Sequence, residues 1–281
     1  MGKIRIVTDG VVDLPQEWVA RFNIKIVPVH VRFGDENFLS DGYSDRGWFY
    51  DKLTQSSVMP STAAPSPYEF ARVYQELAAE GTEDIVGLFA AASVSSIYDH
   101  AQLAARQLSS VRFHMVDTGQ VSMGMGWLLW IAAEAIERGA SAEEIVALVQ
   151  SASVRTRVMG VLDSPEHLRR SGRIGWVVAR FVELLQIKPL LCFELGQALL
   201  LGRVRTHHRA LTRLVELVSE AAPLERLAVI HSRAPKALIT QLQSALSLVS
   251  PEQPIAVVEV GPVFGAHIGP RCLGVAYVRS E

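Results

Sequence analysis

Lys3-Ile4-Arg5-Ile6-Val7-Thr8-Asp9-Gly10, with Leu14-Pro15-Gln16-Glu17 close behind, frames the rest of the chain. Residues 3–8 read as a buried parallel strand, Asp9-Gly10 as the turn that ends it, and Pro15 as the opening of a helix. The same strand–turn–helix rhythm continues outward. Strands are expected at 24–33, 84–90 and 111–116, with helices at 44–53, 68–79 and from Tyr98 to about residue 108. In the first of these helices Trp48, Phe49 and Leu53 share a face. Ser96 stands three residues before Asp99 in the manner of a capping box. Two long helices follow, about 121–138 and 141–155, the second opened by Ser141 with Glu143 and Glu144 in its first turn. Alternating strands and helices of this kind predict a parallel sheet covered on both faces, with ligands beyond the carboxyl ends of its strands.

After residue 157 the pattern changes. A strand at 158–162 leads to a short turn and then to a strongly apolar stretch, 175–185, expected to be a helix. A hairpin is predicted for 190–194 and 198–205 about Gly196-Gln197. A helix at 207–221, a strand at 227–231, a helix at 235–248 and strands at 255–260 and 273–279 complete an α+β unit. The turn-rich segment Gly261 to Pro270 separates the last two strands. The expectation is therefore an α/β protein of two domains. An N-terminal parallel-sheet α/β/α domain, residues 1–158, has a loop at about 54–67 able to pack on the second domain. A C-terminal α+β domain occupies 159–281.

Composition narrows the function. The 281 residues carry a formal charge of −2, which argues against a sequence-independent nucleic-acid binder. Charge is unevenly spread: residues 159–281 hold 14 Lys and Arg against 10 Asp and Glu, residues 1–158 hold 13 against 19. An anionic partner is thus expected on the second half. Cys192 and Cys272 form no CxxC pair, so a zinc site or disulfide framework is not expected and a reducing cytoplasm fits best. The most apolar helix, near 121–136, is interrupted by glycines and Glu134 and falls short of the roughly 20 apolar residues that span a bilayer. No membrane insertion is expected. Nor does the chain carry a Walker A loop, a complete dinucleotide fingerprint, GxSxG or HExxH.

Hydroxyl and imidazole chemistry is what remains. Met59-Pro60-Ser61-Thr62-Ala63-Ala64-Pro65-Ser66-Pro67 is a loop stiffened by three prolines, which presents Ser61, Thr62 and Ser66 in fixed directions. Either Ser66 or Thr62 can cap the helix that follows, with Pro67 in its favoured first-turn position. Ser93 and Ser95 lie in a second loop at a strand end. His267 is flanked by glycines and prolines that let backbone approach it closely; it is either a ligand-site residue or a satisfied core histidine. Arg169, Arg170, Arg173 and Arg205 belong to a stretch from Asp163 to Arg213 with nine basic and four acidic residues. That stretch is either a solvated face or a docking surface for a phosphate-bearing partner. Trp176, Val177, Phe181, Leu184 and Leu185 cover most of a helix circumference, the mark of a buried helix or of a cavity wall.

In this order the motifs resemble the DegV family of bacterial lipid-binding proteins along essentially the whole chain. The resemblance rests on Thr8-Asp9 with Asp13-Leu14-Pro15, on Pro60 to Ser66, Val116-Asp117-Thr118, Leu168 to Ile174, Ile187-Lys188-Pro189 and Gly265 to Pro270. It implies two α/β domains with a long-chain fatty acid buried between them, and no cofactor. It further implies a carboxylate held by Thr62, Ser95 and neighbouring Ser61 and Ser93, with His267 beside it and Phe264 and the 176–185 helix lining the pocket. Catalysis would belong to a separate ATP-dependent fatty acid kinase, feeding phospholipid metabolism and meeting the Arg169–Arg173 surface and Arg205. The chain departs from the family pattern at Ala91-Ala92, where hydroxyls are usual, at Ala63-Ala64, and at Arg271, which stands for a glycine. The competing expectation is a Ser/His-dependent acyl hydrolase or transferase, with Ser95 or Thr62 activated by His267.

Overall fold

A computed structural model describes residues 3–43, 46–172, 187–251 and 254–281. The strands are β1 (Ile4–Asp9), β2 (Lys25–Val27), β3 (Val29–Phe33), β4 (Glu36–Ser40), β5 (Ser61–Ala63), β6 (Asp84–Phe89), β7 (Arg112–Asp117), β8 (Thr156–Val161), β9 (Lys188–Glu194), β10 (Gln197–Val204), β11 (Leu224–His231), β12 (Ala256–Glu259) and β13 (Leu273–Arg279). The helices are α1 (Gln16–Arg21), α2 (Arg46–Gln55), α3 (Pro67–Ala79), α4 (Ile97–Ala105), α5 (Ser122–Glu137), α6 (Ala142–Arg155), α7 (Glu166–Ser171), α8 (His207–Ala221), α9 (Lys236–Leu246) and α10 (Pro262–Ile268).

The N-terminal strands form a parallel sheet in the order β2-β1-β6-β7, as the alternating pattern predicts. All six residues of β6 are buried, which is why that stretch reads as an unbroken apolar run. Helices α3 and α4 pack on each other and reach β2 and β7, and Trp18 of α1 meets Trp127 and Trp130 of α5. The second sheet is mixed, in the order β10-β9-β8-β13-β11-β12, with only β11 and β12 parallel. The expected hairpin forms, its turn at Leu195-Gly196, both at positive φ.

Helix α5 joins the sheets. It is buried almost all round, because one side faces β1 and β6 and another faces β8 and β13. Trp127 donates its indole N–H to the Ala276 carbonyl at 3.0 Å. Gly124 permits the contact: a Cβ there would stand 2.6 Å from Val158 Cγ2. The apolar length of this helix thus serves the interior. Among the described residues no helix is long and apolar enough to cross a membrane.

Four local expectations are corrected. Residues 24–33 are two strands in different sheets: β2 pairs with β1, whereas β3 pairs with β4 and β5. Pro28, which has no N–H to offer a ladder, stands between them. The proline-bounded loop contains strand β5, with Thr62 opposite Val31, so pairing as well as proline holds it. Trp48 is 44% exposed, and Tyr50 takes its expected place beside Phe49 and Leu53 in the core. The segment Gly261 to Pro270 contains helix α10, with Pro262 in its first turn and Gly269 at φ 75° just past its end.

The capping expectations divide. Ser66 with Glu69 and Ser141 with Glu144 form complete capping boxes. Ser96 makes no side-chain cap; the Ile97 N–H instead meets Ser95 Oγ at 3.3 Å. The expected apolar helix at 175–185, with Trp176, Val177, Phe181, Leu184 and Leu185, lies outside the described residues, as does Arg173.

Candidate functional site

Between the carboxyl ends of the parallel strands and the second sheet lies a cavity of about 380 Å³, within the usual range for small-molecule sites. Its walls come from four places. Val11, Ala90, Val94, Ile97 and Val121 stand at the first sheet; Val29, Thr62, Ala63 and Ala64 belong to or follow β3 and β5. Val158, Met159, Leu191, Cys192 and Phe193 come from β8 and β9, and Val263, Phe264, His267 and Ile268 from α10. Among the described residues the polar side chains on this lining are Thr62, Ser95, Ser96 and His267, together with two thiols. Burial pushes both thiols, Cys192 and Cys272, up to about 12, so they stay protonated and behave as small apolar groups.

Thr62 Oγ1 and His267 Nε2 are 3.0 Å apart. The hydroxyl donates when Nε2 is bare and accepts when Nε2 carries hydrogen, so the pair can change its polarity by a tautomer shift. Strand β5 sets Thr62: alternation turns Ser61 outward, where it is exposed, and Thr62 inward. Helix α10 sets His267 in its last turn, three residues after Phe264 and on the same face.

Buried carboxylates build the frame beneath. Asp9 accepts the N–H of Val11 and of Ala90, each at 2.9 Å, tying the end of β1 to the loop that carries Ser95. Asp13 accepts the Ser122 hydroxyl at 2.5 Å and the Gly261 N–H at 2.6 Å, which fixes the approach to α10. Burial raises both carboxyls to about 6 against the pull of those donors. His100 donates to the Pro65 carbonyl at 2.8 Å and so holds α4 against the proline-bounded loop. Tyr50 donates to the Val260 carbonyl at 2.9 Å from the other side of α10.

The structure brings Thr62, Ser95, His267 and Phe264 to one cavity. Ser93 does not line it: its hydroxyl donates to the Gly196 carbonyl at 2.6 Å, fastening the serine-rich loop to the β9–β10 turn. The Gly196 N–H completes this tie by donating to the Gly119 carbonyl at 2.8 Å. Arg169 and Arg170 are exposed and share Glu166, at 3.0 and 2.5 Å. Arg205 is exposed just past β10. The wall formed by Met159, Leu191, Cys192 and Phe193 is absent from the sequence expectations; the unbroken apolar run Pro189 to Phe193 was the signal for it. Among the described residues no group of three or more His, Cys, Asp or Glu side chains is placed to hold a metal.

The family model for DegV proteins matches residues 3–280. The chain is 34% identical over 275 residues to a DegV domain-containing protein of Streptomyces coelicolor, covering 97% of each. It is similar to the solved structure of the fatty acid binding DegV family protein of Streptococcus agalactiae, with 27% identity, a TM-score of 0.90 and 100% of both chains covered. A DegV family protein of Thermus thermophilus, whose structure is described by its fatty acid binding, is similar at 28% identity and a TM-score of 0.89, over 99% of this chain and 100% of that one.

Proposed function

The chain belongs to the DegV family, and from that premise we propose that it binds a long-chain fatty acid and has no catalytic step of its own. The observation that carries this reading is the cavity lining: among the described residues it is apolar except for Thr62, Ser95, Ser96, His267 and two protonated thiols. Such a lining suits a long hydrocarbon with one polar end. Each buried CH₂ contributes about 0.8 kcal/mol before the costs of association. Thr62 and His267 hold the carboxylate, with Ser95 as a further donor. A hydroxyl and an imidazole can do so without a permanent buried cation, whose desolvation would cost more than it returns in the empty state.

In this reading the carboxylate is offered to a separate ATP-dependent fatty acid kinase, and the acyl phosphate enters phospholipid metabolism. Arg169, Arg170, Arg173 and Arg205 form the docking surface. Extraction of the purified protein and mass spectrometry of the extract, followed by titration with oleate, test the first part. A bound C16 to C18 acid, or saturable oleate binding, is the expected result; an empty protein that takes up no fatty acid overturns it. Phosphorylation of bound oleate by a fatty acid kinase, lost on replacing Arg169 and Arg170 with Glu, tests the second.

A further inference from the structure

A second polar site lies outside the fatty acid cavity. Asp163 follows β8 by two residues, and three basic side chains from three other places gather around it. Lys188, at the start of β9, is in hydrogen-bond contact with Asp163 Oδ1. His207 Nε2, in the first turn of α8, is 3.6 Å from the same oxygen, and Arg271 Nε, in the turn before β13, is 3.7 Å from Oδ2. The last two distances are too long for hydrogen bonds. One carboxylate therefore faces three basic groups and bonds to one of them.

Two further observations point the same way. Arg271 sits at φ +65°, a left-handed conformation that glycine adopts freely and arginine does not. Ser232 enforces it: its carbonyl accepts the Arg271 N–H, its hydroxyl donates to the Gly269 carbonyl at 2.7 Å, and its Oγ accepts the Cys272 N–H at 2.8 Å. The strained turn thus holds a guanidinium that is 54% exposed beside an already neutralised acid. Helix α8, 15 residues long, also has no acidic residue in its first turn, so its positive end adds to the field. Burial, then the charges of Lys188 and Arg271, keep the His207 imidazole below its usual range, while Asp163 pulls the other way.

We propose that Lys188, His207 and Arg271, gathered around Asp163, form an anion subsite for a phosphate monoester group. After Asp163 is counted, one positive charge remains, and a second appears when His207 takes a proton. A phosphate dianion supplies both the charge and the three acceptor oxygens that a guanidinium, an ammonium and an imidazolium can share. Leu162 and Cys272, the chain neighbours of Asp163 and Arg271, line the fatty acid cavity. The phosphate can accordingly come from a phosphorylated lipid or from free inorganic phosphate.

The test follows the His207 imidazole signals by NMR as inorganic phosphate is added at constant ionic strength, in the wild type and in Arg271→Gly. Glycine suits the left-handed turn, so the variant is expected to fold with unchanged oleate affinity. Saturable shifts are expected, with phosphate affinity about tenfold or more weaker in the variant, the size of one lost charge-assisted contact. Titration with 1-oleoyl lysophosphatidate separates the sources. Tighter binding than oleate, lost in Arg271→Gly, assigns the subsite to a lipid phosphate; no advantage over oleate assigns it to inorganic phosphate. Absence of a saturable shift, an equal shift with chloride, or equal phosphate affinity in Arg271→Gly overturns the subsite. Oleate affinity, read on the same samples, reports separately on the fatty acid reading.

Discussion

Thr62 and His267 stand 205 residues apart in the chain and 3.0 Å apart in the structure. One belongs to a three-residue strand of a small antiparallel sheet, the other to the last turn of a seven-residue helix that links β12 to β13. Neither element is long enough to be stable alone. The contact therefore depends on the two units of the chain being packed together.

Thr62→Val keeps the β-branched shape that suits β5 and deletes the hydroxyl. Fatty acid affinity is expected to fall by about 1–3 kcal/mol, the cost of leaving a buried carboxylate short of a donor. Calorimetry with oleate measures it. Affinity equal to the wild type would confine Thr62 to strand pairing.

The Thr62–His267 spacing also resembles that of a nucleophile and its base. With no catalytic step expected, acyl esters of p-nitrophenol should turn over no faster with the wild type than with His267→Ala. A rate abolished by that substitution would restore the hydrolase reading.

Cys192 and Cys272 wall the cavity and have thiols pushed up to about 12 by burial. At pH 8 about one thiol in ten thousand is ionised, so both should react slowly with a maleimide, and more slowly still with oleate present. Labelling as fast as that of a free cysteine would show that these side chains are not buried walls.

Asp9 and Asp13 titrate near 6 because burial disfavours their charged forms. The folded chain then keeps protons that the unfolded chain releases from about pH 4 upward. The stability each contributes is complete below about pH 4 and is lost as pH rises through about 6. A shift of this size is worth about 3 kcal/mol per group. Carboxyl carbon-13 titration reads the two values directly, and midpoints near 4 would refute them. In urea unfolding, Asp13→Asn should lose less stability than the wild type between pH 4 and pH 7.5.

Gly265 lies in α10 between Phe264 and the turn bearing His267. A Cβ there would stand 2.6 Å from Tyr50 Oη and 3.0 Å from Phe49 Cε1, and Tyr50 is held by the Val260 carbonyl. Gly265→Ala is expected to cost about 1–3 kcal/mol through overpacking and to weaken oleate binding by displacing α10. A variant as stable as the wild type in urea would mean that the helix relaxes freely.

Much of the site was legible in the chain because its signals are local. Ser66 with Glu69 and Ser141 with Glu144 satisfy helix ends within four residues. The apolar run at β6 reports a strand buried on both faces, and the three prolines and the flanking glycines draw attention to Thr62 and His267, whereas Phe264 enters only through the resemblance to the DegV family. Other features depend on what lies opposite. Ser93 looks like Ser95 in sequence, yet the Gly196 carbonyl claims its hydroxyl. Trp48 looks like Tyr50, yet the core takes the tyrosine.

By itself, then, the sequence determined most of the strands and helices, two capping boxes, and which few hydroxyls and imidazoles are available for a ligand, since hydrogen bonding and periodicity act over one or two turns. Only the tertiary structure decided that 24–33 divides at Pro28 between two sheets, that β8 and β9 supply the far wall of the cavity, and that Thr62 faces His267. Those outcomes rest on burial shared by residues more than a hundred positions apart, and the interaction of two such surfaces is written in neither of them alone.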